Sequence, residues 1–277
     1  MPELPEVETV VRGLRPDLIG KTITSFWYDW LPTIRTPSPE QFEARVVGQR
    51  VEAIERRAKY IVIVLEDALL MVHLKMSGRL YVTPADAQHN ADRWVHVRFG
   101  LATGEELRFS DARKFGRVYL TDAVELVTGP LGPEPLDESF SQAVFQSRLA
   151  GRSKLLKALL LDQTFIAGVG NIYADEALYR SKLHPLRRSD TLTDEEIASL
   201  YDCVRSALWD GIRHEGASLS WYRKPDGSKG SSQEHFDAYG RTNLPCHRCG
   251  TPISKIRVAQ RGTHFCPTCQ RLPSDAG

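Results

Sequence analysis

The chain has no apolar run of the roughly 18 residues that a membrane-spanning helix takes. Its longest candidate, Tyr60 to Leu74, is broken by Glu66 and Asp67. There is no Lys or Arg among the first nine residues, which carry Glu3, Glu6 and Glu8 instead. That is the wrong charge for a secretory signal, and the expectation is a cytoplasmic protein with no membrane partner. Net charge is almost absent. Lys and Arg number 36 and Asp and Glu 35, so overall charge points to no partner. Cysteine is scarce and confined: of five in the chain, four lie beyond Arg241. So few exclude a disulfide-built scaffold. A hydrophobic share of 42% with 26% charged residues excludes a long disordered or collagen-like chain. What is present is 277 residues of ordinary globular composition, enough for one large domain or two small ones.

Charge is uneven along the chain. From Arg241 to the end, six Lys and Arg face a single acid, Asp275, in the stretch that also holds the four cysteines. A basic tail with clustered cysteines suggests an anionic partner. Upstream, the first ~130 residues read as a short helix over Val7–Leu14, with Pro2 and Pro5 at its entry, followed by short strands. These are Thr22–Tyr28, Arg50–Arg57, Tyr60–Leu65, Leu69–Leu74, Arg79–Thr83, Trp94–Phe99, Glu106–Phe109 and Arg117–Leu120. Many short strands at this spacing suggest a β-sandwich or barrel. The stretch Thr128–Pro135 (TGPLGPEP) holds two glycines and three prolines and marks a boundary. Helical spacing follows over Phe140–Leu149, Lys154–Leu161 and Ile172–Arg180, and most clearly over Thr193–Ile212. There Thr193 and Glu196 make a capping box, and Ile197, Leu200, Val204 and Leu208 form one face. Cys203 beside that face reads as a core thiol. Residues 223–237 are polar and Gly/Ser-rich, a mobile loop or connector that is either inert or, in a catalytic protein, a lid.

The pattern Cys246-x2-Cys249, sixteen residues, Cys266-x2-Cys269 is a four-thiolate zinc spacing. Two disulfides are the alternative, rare in a cytoplasmic chain. Four thiolates leave no open position for water, so one structural Zn²⁺ is expected. Its net charge of about −2 leaves the surrounding Arg and Lys with more to do than balance the metal. At the other end, removal of Met1 would expose Pro2 as a secondary amine, roughly a tenth of it neutral at pH 7. Attack of such an amine on a carbonyl or a sugar C1′ gives an iminium, with Glu3 placed to move protons. Many chains begin Met-Pro-Glu without using it.

Longer stretches carry more. PELPEVET (Pro2–Thr9), RRAKY (Arg56–Tyr60), HLKMSG (His73–Gly78), DARKFG (Asp111–Gly116), LGPEPL (Leu131–Leu136), GVGNIYADEAL (Gly168–Leu178) and AQRGT (Ala259–Thr263) occur in this order. Together they resemble the formamidopyrimidine-DNA glycosylases of bacterial base excision repair, over nearly the whole chain. The resemblance implies an α+β, multidomain fold. A catalytic β-sandwich would span residues 1–130 and a helix-two-turn-helix domain 136–222. A lesion-recognition loop and connector would follow over 223–240, and a β-hairpin zinc finger over 241–272.

It also implies roles. Pro2 would be the nucleophile and Glu3 the proton carrier. Lys59, otherwise a plain strand-edge lysine, would approach the lesion sugar and phosphate. Arg261 would bind the phosphate beside the lesion and assist the second elimination. Arg152 and Asn171 would contact phosphates, Asn171 otherwise being a simple N-cap. His73 would face DNA, and Met76, Arg113 and Phe115 would fill the void left by an extruded base. The implied activity is a bifunctional glycosylase and AP lyase acting as a monomer on double-stranded DNA with oxidised purines or abasic sites. A sister enzyme for oxidised pyrimidines, of the endonuclease VIII type, and a non-catalytic zinc-finger DNA-binding protein are the alternatives. The chain departs from the family in three places. Ala91–Val95 reads ADRWV where a DNA-contacting histidine is frequent, leaving Arg93 open as a substitute. Lys75 stands where glycine is frequent. The loop after Trp221 follows its own pattern.

Overall fold

The structure, a computed structural model, describes residues 1–272. The chain divides into two compact units: Met1–Pro130 with His214–Ser231, and Leu131–Arg213 with the chain from Ser232 onward.

The first unit opens with α1 (Leu4–Leu18), longer than the expected Val7–Leu14. Its start is fixed by a capping box. The Glu3 side chain accepts the backbone N–H of Glu6, and Glu6 reaches back to the Glu3 N–H at 2.8 Å, with Pro5 in the first turn. Strands β1 (Ile23–Tyr28), β2 (Ile34–Thr36), β3 (Val51–Arg57), β4 (Tyr60–Leu65), β5 (Leu69–His73), β6 (Gly78–Pro84), β7 (Val95–Leu101), β8 (Glu105–Asp111) and β9 (Arg117–Thr121) follow. Helix α2 (Pro39–Val46) lies between β2 and β3, and α3 (Glu125–Thr128) follows β9. Eight of these strands match the expected ones to within two residues at each end. The three-residue β2 and the helix α2, started by Ser38 and Pro39, were too short and polar to leave a periodic signal.

Two sheets form, ordered β1-β7-β8-β6 and β2-β9-β5-β4-β3. Val7, Val10, Val11, Leu14 and Leu18 of α1 share one core with Phe26, Val97, Phe99 and Phe109 of the first sheet. Ile54, Ile61, Ile63, Leu70, Val72 and Val118 of the second complete it. Burying such a side chain stabilises by about 1.5–3 kcal/mol, so this shared core holds the sheets face to face.

The second unit contains α4 (Gln142–Leu149), α5 (Leu156–Leu161), α6 (Asn171–Arg180) and α7 (Asp194–Arg213), then the hairpin β10 (Ser254–Val258) and β11 (Arg261–Phe265). The expected capping box of α7 is formed, Glu196 N–H to Thr193 Oγ1 at 3.3 Å and Thr193 N–H to Glu196 at 2.9 Å. Ile197, Leu200, Val204 and Leu208 are buried. Cys203 is half-buried, and burial raises its thiol above the ordinary value. The hairpin turns on Ala259 and Gln260, both at positive φ, as a two-residue turn of the right twist requires. No helix among the described residues is long and apolar enough to cross a membrane.

Candidate nucleic-acid interface and metal centre

In the first unit Met1 is exposed, but Pro2 and Glu3 behind it are buried. Pro2 lies at the head of α1 and Glu3 is 3% exposed. Glu6 binds more than its capping partner, because its Oε1 accepts the Ala217 N–H at 2.8 Å. The helix that carries Pro2 is thereby tied to the segment 214–231. Gly216 before Ala217 has φ +77°, and a Cβ there would come within 2.8 Å of the Glu6 side chain. Glu8, two residues on from Glu6, binds Arg12 at 2.8 Å and Arg56 at 3.0 Å. Burial opposes its ionisation, but the two guanidinium groups hold its carboxyl below the usual value. Arg56 also bonds the Ala58 carbonyl at 3.2 Å, which fixes the β3–β4 turn bearing Lys59. Lys59 is only 6% exposed.

Met76, Arg113 and Phe115 come together. Met76 projects from the β5–β6 turn, 42% exposed, and Phe115 from the β8–β9 turn, 45% exposed. The Arg113 Nη1 lies 3.1 Å from the Met76 sulfur, and its guanidinium sits 4.9 Å above the Phe115 ring. Buried Asp111 builds this display. It accepts the Ser77 hydroxyl, the Arg113 N–H at 3.2 Å and the Gly116 N–H at 2.6 Å. Gly116 is required because a Cβ would meet the Phe109 ring at 2.2 Å. His73, at the root of the Met76 turn, is buried, and its Nδ1 accepts the Lys75 N–H at 3.0 Å. Burial first, then the charges of Lys75 and Lys59, push its pKa down to about 3. A neutral His73 therefore shapes the turn that carries Lys75 and Met76.

A cavity of about 860 Å³ is lined by Arg79, Arg93, Trp94, Trp221 and Arg223, with Ser77 and Ser220 among its further walls. Trp94 and Trp221 meet edge to face at 5.5 Å, and Arg93 stacks 3.8 Å from the Trp94 ring centre. Among the described residues, no carboxylate lines it. Burial, with the like charge of Arg223 adding to it, holds Arg79 below the usual arginine value. Donors and flat aromatic walls without an acid suit a ring rich in carbonyl oxygens. The segment expected as a mobile connector has bonds of its own. Lys224 and Ser228 close a turn at 3.0 Å, Asp226 accepts the Ser228 N–H at 2.9 Å, and Tyr222 is buried in the sheet core.

In the second unit, Gly170 is the N-cap of α6 and Asn171 its first residue, which corrects the simple N-cap reading. Asn171 Nδ2 donates to the Gly262 carbonyl at 3.0 Å, beside exposed Arg261 at the start of β11. Arg152 is half-buried with its guanidinium 5.6 Å from the Phe165 ring centre. Sγ atoms of Cys246, Cys249, Cys266 and Cys269 all lie within 4.8 Å of one another. Contacts of 3.9 Å (246–269) and 3.5 Å (249–266 and 249–269) approach the ~3.8 Å edge of a tetrahedron with zinc–sulfur bonds near 2.3 Å. Backbone N–H groups of Arg248 and Cys269 point at Cys246 and Cys266 sulfurs at 3.4 Å, favouring thiolates. The donor set fits zinc, and these four residues would hold one ion as a structural centre.

Three family descriptions match in order: the formamidopyrimidine-DNA glycosylase N-terminal domain over residues 1–118, its H2TH domain over 131–222, and the zinc finger found in FPG and IleRS over 243–272. A formamidopyrimidine-DNA glycosylase of Herpetosiphon aurantiacus is 47% identical over 98% of this chain and 100% of its own. One of Chloroflexus aggregans is 48% identical over 98% and 99%. The chain belongs to the formamidopyrimidine-DNA glycosylase family. Among solved structures, the Lactococcus lactis Fpg in complex with abasic-site DNA superposes with a TM-score of 0.90, at 36% identity over 98% of this chain and 100% of that one. A MutM in complex with carbocyclic 8-oxo-G containing DNA superposes with 0.89 at 36% identity, again over 98% and 100%.

The family motifs named many of the residues described above, but not Glu6, Asp111, Trp94 or Trp221 in any role. The Glu6 spacing to Glu3 was a capping-box signal, whereas its bond to Ala217 spans 211 positions and left no local trace.

Proposed function

We propose that the protein is a bifunctional DNA glycosylase and AP lyase that removes oxidised purines, such as 8-oxoguanine and formamidopyrimidines, from duplex DNA in base excision repair. It would do so as a monomer in the cytoplasm, on the DNA of the nucleoid. The observation that carries this reading is Pro2 at the head of a buried helix start, with Glu3 beside it 3% exposed. With Met1 removed, the proline nitrogen attacks C1′ of the damaged nucleotide, and the base departs with the bonding electrons and a proton. Opening of the sugar ring leaves an iminium to Pro2, an electron sink that acidifies C2′. Glu3 moves the protons, and successive β- and δ-elimination cut the strand on both sides of the sugar. Lys59 stands by the sugar and phosphate, while Arg152, Asn171 and Arg261 bind phosphates and Arg261 assists the second elimination.

Met76, Arg113 and Phe115, already gathered on two adjacent turns, occupy the void of the extruded base and return part of its stacking energy, a few kcal/mol. Trp94, Trp221 and Arg223 offer stacking and donors to the extruded ring. Zinc stabilises the finger and enters no chemical step. Borohydride reduction tests the reading. The processed protein should become covalently linked to DNA with 8-oxoguanine opposite cytosine, Pro2→Gly should weaken this greatly, and an acetylated N-terminus should abolish it. Equal trapping by the acetylated protein would overturn the Pro2 mechanism.

A further inference from the structure

Helix α6 carries two consecutive buried carboxylates, Asp175 and Glu176, at 0% and 1% exposure. Each grips a different stretch of later chain. Glu176 accepts the N–H groups of Asp237, Ala238 and Tyr239 at 2.9, 2.9 and 2.8 Å. Asp175 Oδ2 accepts the His264 N–H at 2.9 Å and lies 3.0 Å from its Nδ1. Its Oδ1 takes the Lys157 ammonium at 2.5 Å. Lys157, on α5, is itself 0% exposed, and also donates to the carbonyl of Asn171 at 2.8 Å.

A buried ion pair gains little stability over well-packed apolar side chains, because both ions lose their hydration. What this one does is join three elements. Lys157 holds the backbone of Asn171, and Asp175 holds β11 three residues beyond Arg261. Asn171 closes the ring through the Gly262 carbonyl.

We propose that Lys157, Asp175 and His264 are positioning residues for DNA binding. Buried and out of reach of DNA, they lock the start of α6 to the β10–β11 hairpin, so that Asn171 and Arg261 present one preformed phosphate cradle. This rests on the glycosylase reading, in which those two residues contact phosphate. Loosening this lock should impair phosphate binding and leave the chemistry at Pro2 intact.

The test is the salt dependence of binding to an abasic-site duplex by the full, zinc-loaded chain. Each phosphate contact contributes roughly 0.9 to the slope of log affinity against log salt. Lys157→Met should weaken binding about tenfold or more and lower that slope by about one to two contacts. Zinc content and borohydride trapping at saturating DNA should be kept. The paired change Lys157→Met with Asp175→Asn removes the uncompensated carboxylate. It should regain thermal stability but not the slope, since the bond to the Asn171 carbonyl is still missing, and it decides the matter if the single variant does not fold. A folded variant with the wild-type slope would overturn the positioning role. Wild-type protein that neither traps nor binds the duplex in a salt-dependent way would instead overturn the glycosylase reading.

Discussion

Glu6 and Ala217 are hydrogen-bonded at 2.8 Å, side-chain oxygen to backbone N–H, across 211 positions of sequence. The second oxygen of the same carboxylate holds the Glu3 N–H at 2.8 Å. One buried group therefore sets the start of the helix that carries Pro2 and the first turn of the segment bearing Trp221 and Arg223.

Glu6→Gln keeps the shape but offers a single oxygen, so one of the two N–H groups faces an amide donor instead. An unmet buried donor costs about 1–3 kcal/mol. The weaker anchor releases the segment proposed to face the extruded base. Excision of 8-oxoguanine should slow about tenfold or more, since ~1.4 kcal/mol is a factor of ten. Cleavage of a duplex already abasic should fall much less, having no base to hold. Single-turnover rates on the two duplexes check this, and an equal loss on both would disprove it.

The low pKa of His73 makes a statement about stability. Burial is the main cause, the positive charges of Lys75, Lys59 and Arg117 add to it, and Tyr60 packs against its ring at 4.7 Å. Its folded pKa, about 3, lies below the ordinary 6.5, so between these values the unfolded chain binds more protons. This contribution is fully present above pH 6.5 and is lost as pH falls towards 3. One pKa unit is ~1.4 kcal/mol, so acidification from pH 7 to pH 5 should cost about 2 kcal/mol through this residue. His73→Gln keeps an acceptor for the Lys75 N–H and has no proton to gain. Denaturant unfolding of the first unit should show a flatter acid limb in the variant. An unchanged limb would mean that His73 titrates alike in both states.

Much of this was legible in the sequence for physical reasons. Tyr60–Leu65 reads as a strand because β-branched residues run unbroken, and Thr193–Ile212 as a helix because its cap and its apolar face agree. The zinc centre was legible because each C-x-x-C pair closes on its own turn. The return of residues 214–231 to the first unit was not legible, since it depends on Glu6 and on Tyr222 entering a distant core. The Lys157–Asp175–His264 cluster was equally hidden. A lysine amid the leucines of α5 resembles any solvated charge until α6 and β11 are placed around it.

The finger should depend on its metal and the first unit should not. Cys249→Ser should lose both zinc and DNA binding. The first unit, whose core contains none of the cysteines, should keep its sheet content by circular dichroism. Metal analysis showing no zinc in fully active wild-type protein would contradict this.

Arg113 should set the choice of the opposite base. Its guanidinium is held between the Met76 sulfur at 3.1 Å and the Phe115 ring at 4.9 Å, so its donors leave in a fixed direction. Arginine offers donors and no acceptor. The unpaired cytosine edge presents acceptors at O2 and N3, whereas adenine presents one acceptor beside a donor. A good bidentate contact discriminates by roughly 1–3 kcal/mol, by analogy with groove readout. Arg113→Ala should lower excision opposite cytosine and flatten the cytosine-to-adenine preference by about that amount. Phe115→Ala should slow both duplexes alike, since a wedge reads no edge. Met76→Ala should fall between them, because it removes one of the two supports that aim the guanidinium without removing the donors. Single-turnover rates opposite cytosine and opposite adenine measure all three. Full cytosine preference in Arg113→Ala would place the discrimination elsewhere in the protein.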